Sequence, residues 1–478
     1  MLRLWGGAVL EEKQMLSLWA DRTQLPHFAA LEEDCKTDVL IIGGGLAGLL
    51  CAYFLKQAGV DCILAEAGVL CGWNTQNTTA KITAQHGLVY DRLLQEKGME
   101  QARQYLEANL AAVEQYRLLC GQLGCPLEPK DSYVYSKCDQ GKLERELTAL
   151  EKLHYRAYFA DALPLPFSVV GAVRFADQAQ FDPLRFVACL LEDCVGRGQS
   201  PEAGQSPEAG QALVPGSLRI YEHTGIREIR GQEAITERGA KIAADSFVVA
   251  THFPFMNKHG LYFLKMYQER SYCIALENAA EVDGMYRDEE KSGLSFRNDG
   301  KLLLVGGGGH RTGKEGGCWQ ELRNFAGSFY PKAKERYAWA AQDCITLDGV
   351  PYIGRYAKRL SNIYVASGFN KWGMTGSMAA AQLLTDLVLG KENPYAELFA
   401  PGRRMKLSAL AKNGCSAAAN LATFSQKRCP HLGCALQWNA VEHSWDCPCH
   451  GSRFGKDGRL LDNPATGGLR CSDEIMGA

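Results

Sequence analysis

A glycine-rich turn between an apolar segment and a helical pattern limits the fold of this 478-residue chain more than any other feature. Residues 39–42 are Val-Leu-Ile-Ile, and G-x-G-x-x-G follows at Gly43, Gly45 and Gly48. In a strand–turn–helix–strand unit these glycines permit the tight turn, admit a pyrophosphate and let the helix pack closely on the strand. A second apolar segment ends in Glu66, which is placed to accept ribose hydroxyls. The pattern therefore predicts a dinucleotide-binding unit.

Two pairs of Cys and His near residue 440 form a second pattern. Cys429-x-His431 and Cys447-x-x-His450 are separated by the fifteen residues 432–446. Zinc fingers usually open with C-x₂₋₄-C and close with H-x₃₋₅-H, so a structural zinc site is the weaker alternative. Two thiolates and two imidazoles fit a Rieske [2Fe–2S] centre, in which His replaces two Cys ligands on one iron. The pattern therefore predicts a centre that moves single electrons.

The same two loops contain a further cysteine each, and together they resemble the Rieske proteins of respiratory and photosynthetic cytochrome complexes. The resemblance implies that the metal ligands are Cys429, His431, Cys447 and His450. It also implies a disulfide between Cys434 and Cys449, for which two free buried thiols are the alternative.

The resemblance also bears on residues that follow the second loop. It implies that Ser452 donates a hydrogen bond to a cluster sulfur, whereas Phe454 stands where the high-potential relatives have Tyr. Because hydrogen bonds to the sulfurs help to set the potential, we expect a reduction potential below that of the respiratory proteins.

Composition excludes several classes of function. The chain is 46% hydrophobic and 22% charged with a net charge of −2, which is typical of a globular protein and gives no support to nucleic-acid binding. We find no apolar run long enough to span a bilayer and no signal peptide. The eighteen cysteines are mostly scattered, which favours a reducing cytoplasm. The length predicts two to four domains.

Four later segments, 71–81, 247–252, 346–354 and 366–375, decide between FAD and NAD. In this order they resemble the D-amino acid oxidase-like flavoproteins, which include glycine oxidase relatives, and most closely a bacterial subgroup that carries a C-terminal Rieske domain. The resemblance covers about 35–478. It implies FAD, which we expect to be non-covalent because Cys344 lies outside the position of a cysteine tether. The expected FAD-binding residues are Gly43, Gly45, Gly48, Glu66, Thr78, Thr79, Lys81, Thr251, Gly368, Gly373, Met374 and Thr375.

The expected fold is an α/β FAD-binding Rossmann-like domain with an interleaved α+β substrate domain, followed by a small all-β Rieske domain. The predicted segments are an N-terminal extension (1–36), a discontinuous FAD-binding domain (37–87, 171–252 and 344–400, with a flexible insertion at 198–211), a substrate domain (88–170 and 253–343), a linker (401–420) and a shortened Rieske domain (421–478). The insertion repeats Gly-Gln-Ser-Pro-Glu-Ala and contains too few apolar residues to bury a core.

The family resemblance implies an enzyme that oxidises a C–N bond in a small amine or amino acid and passes electrons from FAD to the cluster. An external one-electron acceptor or donor is then the expected partner. Two alternatives stay open: a reductase that runs electrons from a ferredoxin-like donor through the cluster to FAD, and a non-enzymatic redox sensor or electron carrier. The sequence reveals no catalytic triad, and the candidates to face the substrate, each with a structural role as the alternative, are His86, His252, Arg270, His310 and Arg311.

Overall fold

A computed structural model describes residues 16–195, 216–256, 259–290, 293–423, 425 and 427–469. The helices in these ranges are α1 (Leu18–Arg22), α2 (Leu46–Gln57), α3 (Tyr90–Leu123), α4 (Gln140–Lys152), α5 (Pro183–Val195), α6 (Tyr262–Lys265), α7 (Cys318–Phe329), α8 (Gly373–Val388), α9 (Ala396–Phe399) and α10 (Leu407–Ala422).

The strands, in chain order, are β1 (Cys35–Ile42), β2 (Cys62–Ala65), β3 (Lys81–Ile82), β4 (Glu128–Ser136), β5 (Tyr158–Ala160), β6 (Gly171–Gln180), β7 (Leu218–Tyr221), β8 (Ile226–Arg230), β9 (Glu233–Thr236), β10 (Lys241–Val249), β11 (Met266–Glu277), β12 (Met285–Asp288), β13 (Ser295–Asp299), β14 (Leu302–Arg311), β15 (Lys334–Thr346), β16 (Tyr352–Ala357), β17 (Leu360–Ser367), β18 (Gln437–Asn439), β19 (Ser444–Asp446), β20 (Arg453–Gly455) and β21 (Leu460–Asp462).

The first sheet contains the predicted dinucleotide-binding unit. Its order is β16-β17-β10-β1-β2-β7, with the β8–β9 hairpin attached to β10. Strands β17, β10, β1, β2 and β7 run parallel, and Val39 to Ile42 of β1 are all buried. Parallel strands that are covered on both faces read as continuous apolar runs, which explains the pattern seen in the sequence. Ligands bind such sheets outside the carboxyl ends of the strands, where the turn after β1 lies.

The second sheet has the order β15-β11-β14-β13-β12-β4-β6-β3, with β5 paired to β6. All of its pairs are antiparallel except that between β12 and β4. Strand β6 departs from the predicted organisation, since residues 171–180 were assigned to the FAD-binding domain but pair with β4 along their length. Strand β3, within the predicted segment 37–87, also joins this sheet. Strand pairing depends on distant partners, so local sequence patterns do not reveal which sheet a strand joins.

The third sheet is small and antiparallel, in the order β18-β19-β20-β21. It carries the predicted cluster loops and forms its own apolar core around Leu436 and Phe454. The preceding stretch 401–420, predicted as a linker, instead contains most of helix α10. The Rieske domain was predicted to be shortened, and the alanine-rich stretch ahead of its first cluster loop forms a helix because its intrinsic helix propensity is high.

The described part of the N-terminal extension packs onto the main body. Trp19 in α1 is buried, and its ring nitrogen donates a hydrogen bond to the Thr78 carbonyl at 2.7 Å. The predicted flexible insertion at 198–211 lies outside the described residues. Among the helices that the structure describes, none combines the length and apolar character needed to cross a membrane.

Candidate functional site

The turn between β1 and α2 is built by close backbone contacts that only glycine tolerates. Gly43 has a φ of +111°, and a Cβ there would lie 2.6 Å from the Ala250 carbonyl oxygen. A Cβ on Gly48 would lie 1.9 Å from the Gly43 carbonyl oxygen. Gly45 is the N-cap of α2, and a Cβ there would meet only the Thr75 hydroxyl, at 3.5 Å. Gly45 therefore leaves room for a ligand at the helix start, where the Leu46 N–H donates to the Thr75 hydroxyl at 3.1 Å.

Glu66 lies beside this turn at the end of β2. Its two carboxylate oxygens accept hydrogen bonds from the backbone N–H groups of Gly44 and Gly68, each at 2.7 Å. Burial raises the pKa of the Glu66 carboxyl, and the two backbone donors partly oppose that shift. Each oxygen keeps a lone pair for a further donor, such as a ribose hydroxyl.

A cavity of about 430 Å³ begins at this turn. Most of the predicted FAD-binding residues line it: Gly43, Gly45, Glu66, Thr78, Thr79, Lys81, Thr251, Gly368, Gly373 and Met374. The two exceptions are Gly48, which packs against Gly43, and Thr375, whose hydroxyl donates to the Thr83 carbonyl at 3.2 Å. Thr375 thus supports the site from behind.

The far end of the cavity is formed by the start of α8. Its N-cap, Trp372, makes no side-chain capping bond, and a Cβ added to Gly373 would meet no atom within 4 Å. Uncapped N–H groups at a helix start carry partial positive charge that favours an anion. The cavity therefore runs between two helix N-termini, an arrangement that fits a dinucleotide at one end and an electron-rich ring at the other.

Several charged residues that the sequence did not single out also line the cavity. Arg287 of β12 has its guanidinium carbon 5.5 Å from the centre of the Trp372 ring and makes no hydrogen bond or ion pair within the described part of the chain. Burial lowers the pKa of Arg287 and, with help from the nearby Arg297, lowers that of Lys81 to about 7. Burial raises the pKa of Asp343, which the Lys371 ammonium opposes. The strands that carry Arg287 and Asp343 come from distant parts of the sequence, so no local signal indicated them.

The four predicted cluster ligands converge at the tips of two loops in the third sheet. The Cys429 and Cys447 thiols lie close enough to influence each other, so that the pKa of Cys429 is lowered to about 7 while that of Cys447 is raised. The His431 and His450 rings lie edge to face, with centroids 5.0 Å apart. The Nδ1 atom of His450 is buried and has no hydrogen-bond partner among the described residues. Two thiols, two imidazoles and an orphaned buried nitrogen fit the mixed ligand set of a Rieske centre.

The remaining predicted residues surround this ligand set. Cys434 and Cys449 form a disulfide that joins the two loops, and the Cys447 sulfur lies within 4.8 Å of both. The Ser452 hydroxyl lies within hydrogen-bonding reach of the Cys429 sulfur and accepts a bond from the Ala465 N–H at 3.0 Å. Phe454 is completely buried.

Two of the five substrate-facing candidates contact the cluster-bearing domain instead. Arg270 forms a buried ion pair with Glu442, and Arg311 donates to the carbonyl oxygens of Pro448 and Cys449, at 3.1 and 2.8 Å. Both were candidates to face the substrate, but the structure pairs them with partners that are distant in sequence.

The three histidine candidates occupy different surroundings. His86 is buried away from the cavity between Tyr105 and Thr375, and burial lowers its pKa to about 3. His310 lies 3.0 Å from the Tyr272 hydroxyl, and it does not line the cavity. His252 alone of the five lines the cavity.

The protein families that match this chain divide it into the same two parts as the structure, a larger flavin-binding part and a small C-terminal cluster domain. A family model described as FAD dependent oxidoreductase (DAO) matches residues 38–387, and a Rieske [2Fe-2S] domain model matches 418–473. The chain is 34% identical over 512 aligned positions to the putative Rieske 2Fe-2S iron-sulfur protein YhfW of Bacillus subtilis, covering 95% of this chain and 97% of that protein. A segment of 44 residues is 46% identical to the cytochrome b6-f complex iron-sulfur subunit 1 of Nostoc, covering 9% of this chain and 25% of that subunit.

Solved structures share the fold of the larger part. Glycine oxidase from Geobacillus kaustophilus superimposes with a TM-score of 0.62 and 18% identity, covering 78% of this chain and all of that one. L-proline dehydrogenase from P. horikoshii gives a TM-score of 0.61 with 15% identity, covering 78% of this chain and 98% of that one. These comparisons confirm the predicted fold, and with it FAD and a [2Fe–2S] cluster as the cofactors. The chain belongs to the DAO family of FAD-dependent oxidoreductases and carries a C-terminal Rieske [2Fe–2S] domain.

Proposed function

We propose that this enzyme oxidises the C–N bond of a small amino acid or related amine and delivers the electrons through the Rieske domain to an external one-electron acceptor. FAD can accept electrons in pairs and release them singly, which is the chemistry that joins the two cofactors. The substrate loses two electrons and two protons and becomes an imine, which water hydrolyses to a carbonyl compound and ammonia or an amine. Two equivalents of the one-electron acceptor take up the electrons, and the two protons pass to solvent. Solved relatives of the same fold include proteins named glycine oxidase and L-proline dehydrogenase.

One observation carries this proposal. Residues 460–466 of the Rieske domain line the same cavity as the glycine-rich turn and the start of α8. The loop that follows β21 therefore forms a wall of the flavin site, and this shared wall supports direct exchange of electrons between the cofactors within one chain.

The charges of the cavity favour a substrate with a carboxylate. The Arg287 guanidinium contacts the Trp372 ring but forms no side-chain hydrogen bond or ion pair in the described part of the chain, and such a group is well suited to a bidentate carboxylate contact. Asp343 and its neighbour Lys371 supply charges of both signs on the same cavity. An amino acid, with one anionic and one basic end, matches this set better than a simple alkylamine does.

Rapid mixing with a panel of amino acids and amines under anaerobic conditions tests the proposal. We expect at least one amino acid to bleach the flavin absorbance first and the cluster absorbance afterwards, with multiple turnovers once a one-electron acceptor is added. Cluster reduction that never follows flavin reduction would exclude this route. Redox changes without any product would favour the sensor alternative.

A further inference from the structure

The side chain of Gln268, on β11, lies at the contact between the flavin cavity and the cluster loop. It is 1% exposed, and all four of its hydrogen-bonding positions are occupied. Its amide nitrogen donates to the carbonyl oxygens of His450 and Asn463, each at 2.8 Å. Its amide oxygen lies 3.1 Å from His252 Nε2 and accepts from the Gln342 amide at 3.0 Å.

Each of these partners belongs to a different part of the site. His450 is a cluster ligand in the second loop, and Asn463 lies in the loop that walls the cavity. His252 lines the cavity from the FAD-binding side, where it has a φ of +66°. A histidine in the left-handed region is uncommon, and such strain persists only where the surroundings enforce it. Gln268 thus connects the cluster loop and the flavin cavity through one buried amide.

The backbone of the cluster loop leaves room for the Gln268 side chain. Gly451, directly after His450, has a φ of +95°, and a Cβ there would lie 2.5 Å from the Cβ of Gln268. The Gly451 carbonyl oxygen also accepts from the Gln342 amide at 2.8 Å. The loop is therefore held both by the close packing of Gly451 on Gln268 and by hydrogen bonds from the Gln268 and Gln342 side-chain amides.

Neighbouring positions on the same strand strengthen this contact. Alternate residues of a strand point to one face, so Gln268, Arg270 and Tyr272 share the face that meets the Rieske domain. Arg270 pairs with Glu442, and the Tyr272 hydroxyl donates to the same carboxylate at 2.8 Å. Of these three residues, Gln268 is the one that contacts the loop carrying the predicted metal ligand His450.

We propose that Gln268 is a positioning residue that fixes the cluster loop against the flavin cavity, and that electron transfer between the two cofactors depends on it. This inference rests on the function proposed above. Each transfer moves one electron from reduced FAD to the ferric form of the cluster, and the released proton passes to solvent. Without the amide, the loop keeps its ligands but loses its fixed distance from the cavity.

Flash photoreduction of the anaerobic holoenzyme with an external deazaflavin donor tests this without a known substrate. In the unmodified enzyme we expect cluster reduction to follow flavin reduction in a phase that is independent of protein concentration. Gln268→Leu, which removes all four hydrogen bonds at similar volume, should slow that phase by roughly tenfold or more, since small misplacements of reacting groups have effects of this size. The matched control Gln320→Leu, at an exposed position on α7, should leave it unchanged.

Amide hydrogen exchange of the oxidised holoenzyme gives a second readout that needs no turnover. Gln268→Leu should speed exchange in residues 450–452 and 463–465, with FAD and iron content retained. If Gln268→Leu loses the cluster, Gln268→Asn, which keeps a shorter amide, replaces it in both measurements.

Unchanged transfer and unchanged exchange in the Gln268 variants would overturn the positioning role. Absence of the intramolecular phase in the unmodified enzyme would instead overturn the proposed function, while faster exchange in the variants would still support the docking role of the amide. The two failures are therefore distinguishable.

Discussion

Arg287 supplies to the flavin cavity a guanidinium that forms no side-chain hydrogen bond or ion pair among the described residues. We predict that Arg287→Leu raises KM for an amino-acid substrate by about tenfold to a hundredfold, because a charge-assisted hydrogen bond is worth roughly 1.5 to 3 kcal/mol. Steady-state kinetics with matched amino acids and decarboxylated amines would measure this. Arg287→Lys should restore part of the lost affinity, since lysine keeps the positive charge but lacks the paired N–H donors of the guanidinium.

Arg323→Leu is the matched control, because Arg323 is a partly exposed residue of α7 that pairs with Glu335 and does not line the cavity. It should leave KM unchanged. An equal loss for amines that lack a carboxylate would contradict the assignment of Arg287.

A substitution at Phe454 tests how the residues around the cluster set its reduction potential. Its ring is completely buried in the core of the Rieske domain, two residues after Ser452. We predict that Phe454→Tyr raises the midpoint potential, because the added hydroxyl supplies a donor of the kind found in the high-potential relatives. Redox titration followed by EPR would measure the shift. Phe454→Leu adds no donor and should not raise the potential, and a fall or no change in the Tyr variant would refute the prediction.

At the scale of elements, helix α10 directly precedes the cluster loops of the Rieske domain. The Asn413 side chain is buried and bridges the Leu264 carbonyl and Arg311, at 3.1 Å each. Ala417 packs against the apolar core that surrounds the cluster cysteines. The helix therefore supports the small Rieske sheet from the side that faces α6 and strand β14 of the second sheet.

We predict that Ala417→Asp lowers the iron content while FAD content is kept, because a charge is placed against the apolar core of the cluster domain. The control Ala418→Asp changes the neighbouring, exposed position of the same helix and should retain the iron. Iron and flavin analysis of the purified variants would decide, and equal iron content in both would show that α10 does not support the cluster.

The sequence predicted those features of the molecule whose chemistry depends on the spacing of neighbouring residues. The turn from Gly43 to Gly48 and the two Cys–His loops could be predicted because each motif is complete within a few residues. The pairing of Arg270 with Glu442 could not, since 172 positions separate the partners. The placement of β6 in the second sheet and the convergence of Arg287 on the cavity depend on the same long-range pairing. Arg270 and Arg311 were candidates to face the substrate, but they pair with residues of the Rieske domain instead.

For the whole molecule, a buried charge network fixes the Rieske domain to the second sheet. Glu442 accepts bonds from both Arg270 and Arg453, and Arg453 also pairs with Asp446 and Asp462. Burial alone would raise the pKa of Glu442, but the two guanidinium groups hold it at about 2. The network ties β11 to β20 and β21 and so fixes the wall of the flavin cavity.

This network predicts the response of the enzyme to acid. Because the folded-state pKa of Glu442 lies below its unfolded value of about 4, its stabilisation, on the order of 3 kcal/mol, is complete above pH 4 and is lost as the pH falls toward 2. Glu442→Gln should weaken docking by about 3 to 5 kcal/mol at neutral pH, since it leaves the buried Arg270 with only Asp462, at 3.9 Å, as a counter-charge. Hydrogen exchange in residues 442–454 would measure the loss.

Glu335→Gln is the control for that measurement, because the Glu335–Arg323 pair is partly exposed and such pairs contribute only about 0 to 1 kcal/mol. Docking that is equally strong in both variants would show that the network is dispensable.

The loop after β21 has a consequence for any attempt to alter this enzyme. Asn463 contacts the backbone of Thr251 and Phe253 beside the flavin cavity, while Ala465, two residues later, donates to the Ser452 hydroxyl next to the cluster. A change made here to widen the range of accepted substrates also changes the surroundings of the iron. A substitution at 463–465 therefore changes substrate selectivity and the reduction potential of the cluster together. Directed evolution at these positions will have to screen for both properties at once.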